Sequence, residues 1–272
     1  EGYEVVVDEA GKVILNLAGE PQYQPKRGFL SKFLTRLLSG GAEGADRTFA
    51  NEMHKVDAPV INYTFGAHQK QAMLNKGMPR KLTRPQLDSA NEEVNKSAIS
   101  LNRPVENMNQ YTLDLQRRNW HIIKGAQSVY AVGPILRRGS HAMKAVDGGT
   151  GWGIDMAIRH GKDVYVFDNS SKKQHAGKIS NQWYKFSHEL GVFQEMAELP
   201  PRPPKTWAGI GSREIGETGK KAIRTLIQTY FKGKNVMPTK EELKEHKKAA
   251  KKKRLVLKPI VKILNQEIED IE

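Results

Sequence analysis

The chain has 272 residues, with 44 Lys and Arg against 30 Asp and Glu, and no cysteine. The lack of cysteine excludes disulfides, thiolate zinc sites and a cysteine nucleophile, and no apolar run approaches the roughly eighteen residues that a membrane helix needs. A formal charge of +14 with a pI near 9.7 draws such a protein toward polyanions such as nucleic acid.

The opening Glu1-Gly2-Tyr3-Glu4 has no basic flank before an apolar run and does not read as a signal peptide. The expected setting is cytoplasmic, free or within a larger particle. Residues 4–8 and 12–17 flank a Glu-Ala-Gly turn and predict a β-hairpin, followed by a Gly/Pro/Gln linker at 19–28. An N-terminal segment of 1–28 therefore precedes a body of 29–232.

In that body, 34–38 reads as a short strand running into a glycine turn, 47–55 as a helix and 58–64 as a strand. A polar excursion with Pro79 and Pro85 fills 66–85. Helical spacing returns at 86–102 and 109–124, then an apolar strand at 128–133. A second glycine turn opens a helix at 152–160, followed by a strand at 163–168 and an edge strand at 182–186. Pro200, Pro201, Pro203 and Pro204 stiffen the connection to a last strand and glycine turn at 206–213, and 220–231 is an amphipathic helix. From 233 to 272 a Lys-rich helical extension follows. Strands alternating with helices predict an α/β domain with an open, mostly parallel sheet covered by helices on both faces.

Each glycine turn sits where an apolar strand meets a helix. Glycine lets backbone approach a ligand, and a helix N-terminus offers N–H groups and a positive dipole end. In an open parallel sheet such turns gather at the carboxyl ends of the strands, where ligands bind. The candidate ligand-binding residues are Gly40, Gly41 and Gly44; Gly148, Gly149, Thr150 and Gly151; and Gly209, Gly211, Ser212 and Arg213.

These turns carry a resemblance. Gly40-Gly41-Ala42-Glu43-Gly44-Ala45-Asp46 looks like the GGAxGAD motif of the YpsA/YspA branch of the SLOG superfamily. Gly148-Gly149-Thr150-Gly151-Trp152-Gly153-Ile154-Asp155 resembles the GGxGTxxE motif of Lonely-guy phosphoribohydrolases. Ala208-Gly209-Ile210-Gly211-Ser212-Arg213-Glu214 is similar to the GxGSR turn that follows the first strand of such domains. Here that turn comes last, which implies a circularly permuted Rossmann-like fold. The resemblance implies a nucleotide or NAD/ADP-ribose-derived ligand and, by the Lonely-guy analogy, hydrolysis of an N-glycosidic bond. SLOG relatives in bacteria and phages are associated with nucleotide signalling and conflict systems. Two departures stand out: Asp155 replaces the family's Glu, and Trp152 its Thr.

An N-glycosidase passes through an oxocarbenium-like transition state, which a carboxylate stabilises or attacks through activated water. Asp155 is the first candidate, with Asp46 and Glu214 behind it. Asp46 and Asp155 are equally explained as acidic residues favoured by a helix N-terminus. Arg213 and either Arg117 or Arg118 would hold phosphate through charge-assisted bonds. No HExxH-type pair or Walker A ending occurs, so neither a metal site nor a further cofactor is expected.

Lys247, Lys248, Lys251, Lys252, Lys253 and Arg254 form a compact basic patch without interleaved aromatics, suited to non-specific contact with phosphate backbones. Two rival readings follow: a structural or assembly protein anchored by its basic extension, and a DprA-like nucleic-acid binder. A homo-oligomer without membrane association is the expected state.

Overall fold

A computed structural model describes residues 3–5, 23–25, 35–69, 76–170 and 180–231. The Lys-rich extension and the expected strand at 12–17 lie outside these. At the N-terminus β1 (Tyr3–Val5) pairs antiparallel with β2 (Tyr23–Pro25), so a strand lies within the stretch read as linker.

The body contains β3 (Arg36–Ser39), α1 (Ala45–His54), β4 (Val60–Thr64), a 3-10 turn (Gly66–His68), β5 (Met78–Lys81), α2 (Arg84–Asp88) and α3 (Asn91–Leu101). It continues through α4 (Gln110–Gly125), β6 (Ser128–Val132), α5 (Thr150–Arg159), β7 (Asp163–Asp168), β8 (Gln182–Ser187), β9 (Val192–Glu195), β10 (Thr206–Gly211) and α6 (Gly216–Phe231). One sheet of eight strands runs in the order β5-β4-β3-β10-β6-β7-β8-β9. The pairs from β5 through β7 are parallel, and β8 and β9 add antiparallel. The last parallel strand in the chain thus lies at the centre. If β10 is counted first, β4-β3-β10-β6-β7 becomes the doubly wound order 3-2-1-4-5, which is the circular permutation expected from the misplaced GxGSR-like turn.

The strands read as buried runs because both faces of the sheet are covered; every residue of β4 and β6 is buried. Alternation sorts their side chains between two cores. Val129, Ala131, Val164, Val166, Ala208 and Ile210 pack with α3, α4 and α5. Tyr130, Val132, Tyr165, Phe167 and Trp207 pack with α1 and α6. Phe49 of α1 meets Trp207 edge-on at 5.7 Å between ring centres, and the alanines of α1 let it lie close to the sheet.

Three elements differ from the sequence expectation. The polar excursion contains β5, an edge strand, where Pro79 is tolerated because the outer ladder is unpaired. The single helix expected over 86–102 is two, α2 and α3: a Thr83–Gln86 capping box starts the first, with Pro85 in its opening turn. β9 buries Phe193 alone among its four residues, too little to register as a strand pattern. Among the described residues no helix is long and apolar enough to cross a membrane.

α3 and α5 are joined by a buried ionic cluster. Arg159 donates to Glu93 at 2.9 Å and to Ser97 at 2.9 Å, and His160 donates to Glu93 at 2.9 Å. Burial alone would raise the Glu93 carboxyl, but hydrogen bonds from His160, Arg159 and Lys96 together hold it at about 2, below its ordinary 4.5. A carboxyl depressed by folding stabilises the fold above its unfolded value and loses that contribution as pH falls through the folded one. Glu93→Gln is therefore expected to cost about 1–3 kcal/mol at pH 7. Its deficit in urea unfolding, measured against wild type, should shrink between pH 4.5 and 2; a pH-independent deficit would disprove the ionic role.

Candidate functional site

The first and third glycine turns meet where β3 and β10 end. β3 closes with Ser39, whose Oγ donates to the Gly209 carbonyl at 2.7 Å. The chain then turns into α1 through Gly44, at φ 90°. A Cβ on Gly44 would stand 2.3 Å from the Arg213 carbonyl oxygen, so no other residue fits between the turns. Ala45 N–H donates to the Ser212 carbonyl at 3.1 Å.

Asp46, 3% exposed in the first turn of α1, fastens this junction. One carboxylate oxygen accepts from Gly40 N–H at 3.1 Å and Ala42 N–H at 3.4 Å, and the other from Gly211 N–H at 3.2 Å. The Arg118 guanidinium lies 3.6 Å away. Burial pushes the Asp46 carboxyl upward, opposed by Arg118 and the three N–H donors. The same burial pushes Arg118 downward, opposed first by Asp46.

The choice between Arg117 and Arg118 is decided by helix geometry. Adjacent residues on α4 point about 100° apart. Arg117 turns toward Asp114 at 2.8 Å and Asn91 at 2.7 Å, in the helical layer. Arg118 turns toward the turns, and its guanidinium fills the space where a Cβ of Gly40 would stand. Gly40 is thus required by Arg118.

His68, in the 3-10 turn after β4, joins this cluster without any motif to announce it. It is 1% exposed. Its Nδ1 lies 3.3 Å from Thr64 Oγ1, and its ring stacks on Phe65. Burial, then Arg118 and Arg213, hold it at about 3, so it is neutral at pH 7. Its Nε2 and Arg118 Nε are both buried without a hydrogen-bond partner.

The second glycine turn reaches the same edge through a residue the sequence reading passed over. A Cβ on Gly133, just after β6, would lie 3.2 Å from Ser212 Oγ and 3.7 Å from Thr150 Cγ2. The ends of β6 and β10 and the start of α5 therefore meet at the switch point of the sheet. Gly148 faces open space, and Gly149 has only Gln116 Nε2 nearby, at 3.8 Å. Arg103 braces this turn by donating to the Gly148 carbonyl at 2.8 Å. Gly133 follows a strand, as the nominated glycines do, and was findable; His68, Gln116 and Arg103 carry no local signal.

Other candidates are placed elsewhere. Asp155 turns to the α3–α5 interface, accepting from Ser100 Oγ at 2.6 Å and Arg159 Nε at 2.9 Å. Gly209 serves close packing, since a Cβ there would meet Leu37 at 2.7 Å and Phe49 at 2.8 Å. Gly211 and Gly151 are enforced by the Val132 and Val146 carbonyl oxygens, 2.4 and 2.1 Å from the Cβ positions. Arg213 and Glu214 stand exposed at the mouth. Gly41 adopts φ 63° within the first turn. Lys247, Lys248, Lys251, Lys252, Lys253 and Arg254 lie outside the described residues. Among the described residues no three His, Asp or Glu side chains gather as a metal site.

Asp46→Asn keeps the side-chain volume but sets an N–H₂ against backbone donors and strips Arg118 of its counter-charge. It is expected to cost about 3 kcal/mol, or roughly 6–12 °C in Tm. Differential scanning calorimetry checks this; an unchanged Tm would show that the carboxylate does not hold the two turns together.

No family model matches the chain, and no curated relative does. Among solved structures, the chain is similar to one described as a "Putative molybdenum carrier protein" from Syntrophus aciditrophicus, at 13% identity and a TM-score of 0.38. The match covers 73% of this chain and 96% of that one. A likeness of this degree carries no inference about the ligand.

Proposed function

We propose that the chain binds a phosphate-bearing small molecule, a nucleotide or an NAD- or ADP-ribose-derived ligand, in the crevice at the carboxyl edge of the sheet. One observation carries this: Arg118 and His68 bury unpartnered nitrogens side by side at that edge, with Arg213 at its mouth. An unsatisfied buried donor costs about 1–3 kcal/mol, and a folded protein retains such groups together where an acceptor arrives from outside. A phosphate oxygen supplies that acceptor, and its charge suits two guanidinium groups. The open backbone at Gly148 and Gly149, at the head of α5, leaves room for the rest of the ligand. The resemblance to SLOG turns agrees with this ligand class.

Binding is better supported than turnover. Asp46 and Asp155 are both engaged by protein donors, which leaves Glu214, exposed beside Arg213, as the carboxylate that can reach an N-glycosidic bond.

Calorimetric titration with AMP, ADP-ribose and NAD, followed by chromatography for released base, tests both statements. Arg118→Gln combined with Arg213→Gln should weaken binding about 100-fold, the loss of two charge-assisted bonds. Released base that disappears in Glu214→Gln would establish hydrolysis. No heat at millimolar ligand from folded wild-type protein would overturn the binding proposal.

A further inference from the structure

The largest groove among the described residues runs between α1 and α6, on the face of the sheet opposite α3, α4 and α5. Its volume is about 920 Å³. It starts at Gly44 and Arg213 and follows α1 as far as Lys55, so it is about 15 Å long at 1.5 Å per residue. Both helices begin at the carboxyl edge, and their positive dipole ends share the upper end of the groove.

Its walls are basic at helical spacing. Arg47 and Lys55 stand two turns apart on α1, and Lys220 and Arg224 one turn apart on α6. Arg213 and Lys76 extend the row at either end. These six cations face three carboxylates, Glu43, Glu52 and Glu214. Glu52 is matched by Lys55 at 2.7 Å and Arg224 at 3.6 Å, which leaves a net positive channel. Ile215 is the one apolar side chain lining it.

We infer that this groove holds the sugar-phosphate backbone of single-stranded nucleic acid, without reading its bases. A chain of evenly spaced anions matches cations repeated along two parallel helices. A protein segment would need apolar anchors in its binding groove, and only Ile215 is there. A membrane surface requires a convex or flat contact, which a channel between two helices does not offer. No aromatic side chain lines the groove, so the stacking that distinguishes bases is missing. The inference does not depend on the phosphate crevice, and it places the contact on the α/β body, apart from the Lys-rich extension.

The test is fluorescence anisotropy of the full chain with labelled oligo-dT across a salt series. The variants are Lys220→Gln with Arg224→Gln in the groove, and Lys251→Gln with Lys252→Gln and Lys253→Gln in the extension. Lys220 and Arg224 are 46% and 48% exposed, so the fold should tolerate their loss. If the groove pair unfolds, Arg47→Gln with Lys55→Gln probes the opposite wall. The groove variant should weaken binding about tenfold and flatten the log K–log salt slope by about 1.4, since each phosphate contact on a single strand contributes about 0.7. The slope of the extension variant should still fall further when the groove changes are added. Three results would overturn the inference: an unchanged slope in both groove variants, tighter binding of a duplex of equal length, or displacement of oligo-dT by polyglutamate at equal charge.

Discussion

The site rests on one carboxylate. Asp46 accepts hydrogen bonds from Gly40, Ala42 and Gly211 and draws in Arg118. These groups come from the ends of β3 and β10 and from α4, three elements far apart in sequence. A single buried anion thus sets the distance between two glycine turns and the direction of an arginine. Buried charge is costly unless it is paired and hydrogen-bonded, so the geometry around Asp46 tolerates little variation.

That constraint changes the meaning of the glycines. Gly44 and Gly211 are excluded from bearing a side chain by the backbone of the facing turn, Gly40 by Arg118, and Gly209 by the packing of α1. Close approach in this half of the site is approach of protein to protein. The openness that a ligand needs is found instead at Gly148 and Gly149, by the second turn. The site is therefore asymmetric: a tightly built, positively charged wall on one side of the switch point and an open helix start on the other.

The two faces of the sheet also divide the labour. On the α3–α5 face, acidic and basic side chains neutralise each other, as in the cluster of Glu93, Asp155 and Arg159. On the α1–α6 face, the cations outnumber the carboxylates along a groove. The net charge of the chain is thus distributed unevenly over the folded body, and its surplus meets solvent where two helices leave a channel.

Local pattern in the sequence was sufficient for the architecture. The apolar runs at 128–133, 163–168 and 206–211 could be buried only in a sheet covered on both faces, and their alternation with amphipathic helices led to α/β. The glycine turns were legible because each follows such a run. A GxGSR-like turn at the end of the chain foretold a permuted strand order, since the order of motifs is a property of sequence. What the sequence left undecided depends on direction and neighbourhood. Nothing local distinguishes Arg117 from Arg118, yet an angle of about 100° on the helix sends one into the α-helical layer and the other to Asp46. Asp155 matches a motif position, but the turn of α5 carries it to Ser100 and Arg159. His68 belongs to no motif; it acquires its neighbours because β4 ends two strands from β10 and α4 crosses between. Composition and periodicity determine which residues are buried and in what kind of element. Which buried groups face one another is decided by tertiary packing, because side-chain direction is set by the whole layer arrangement.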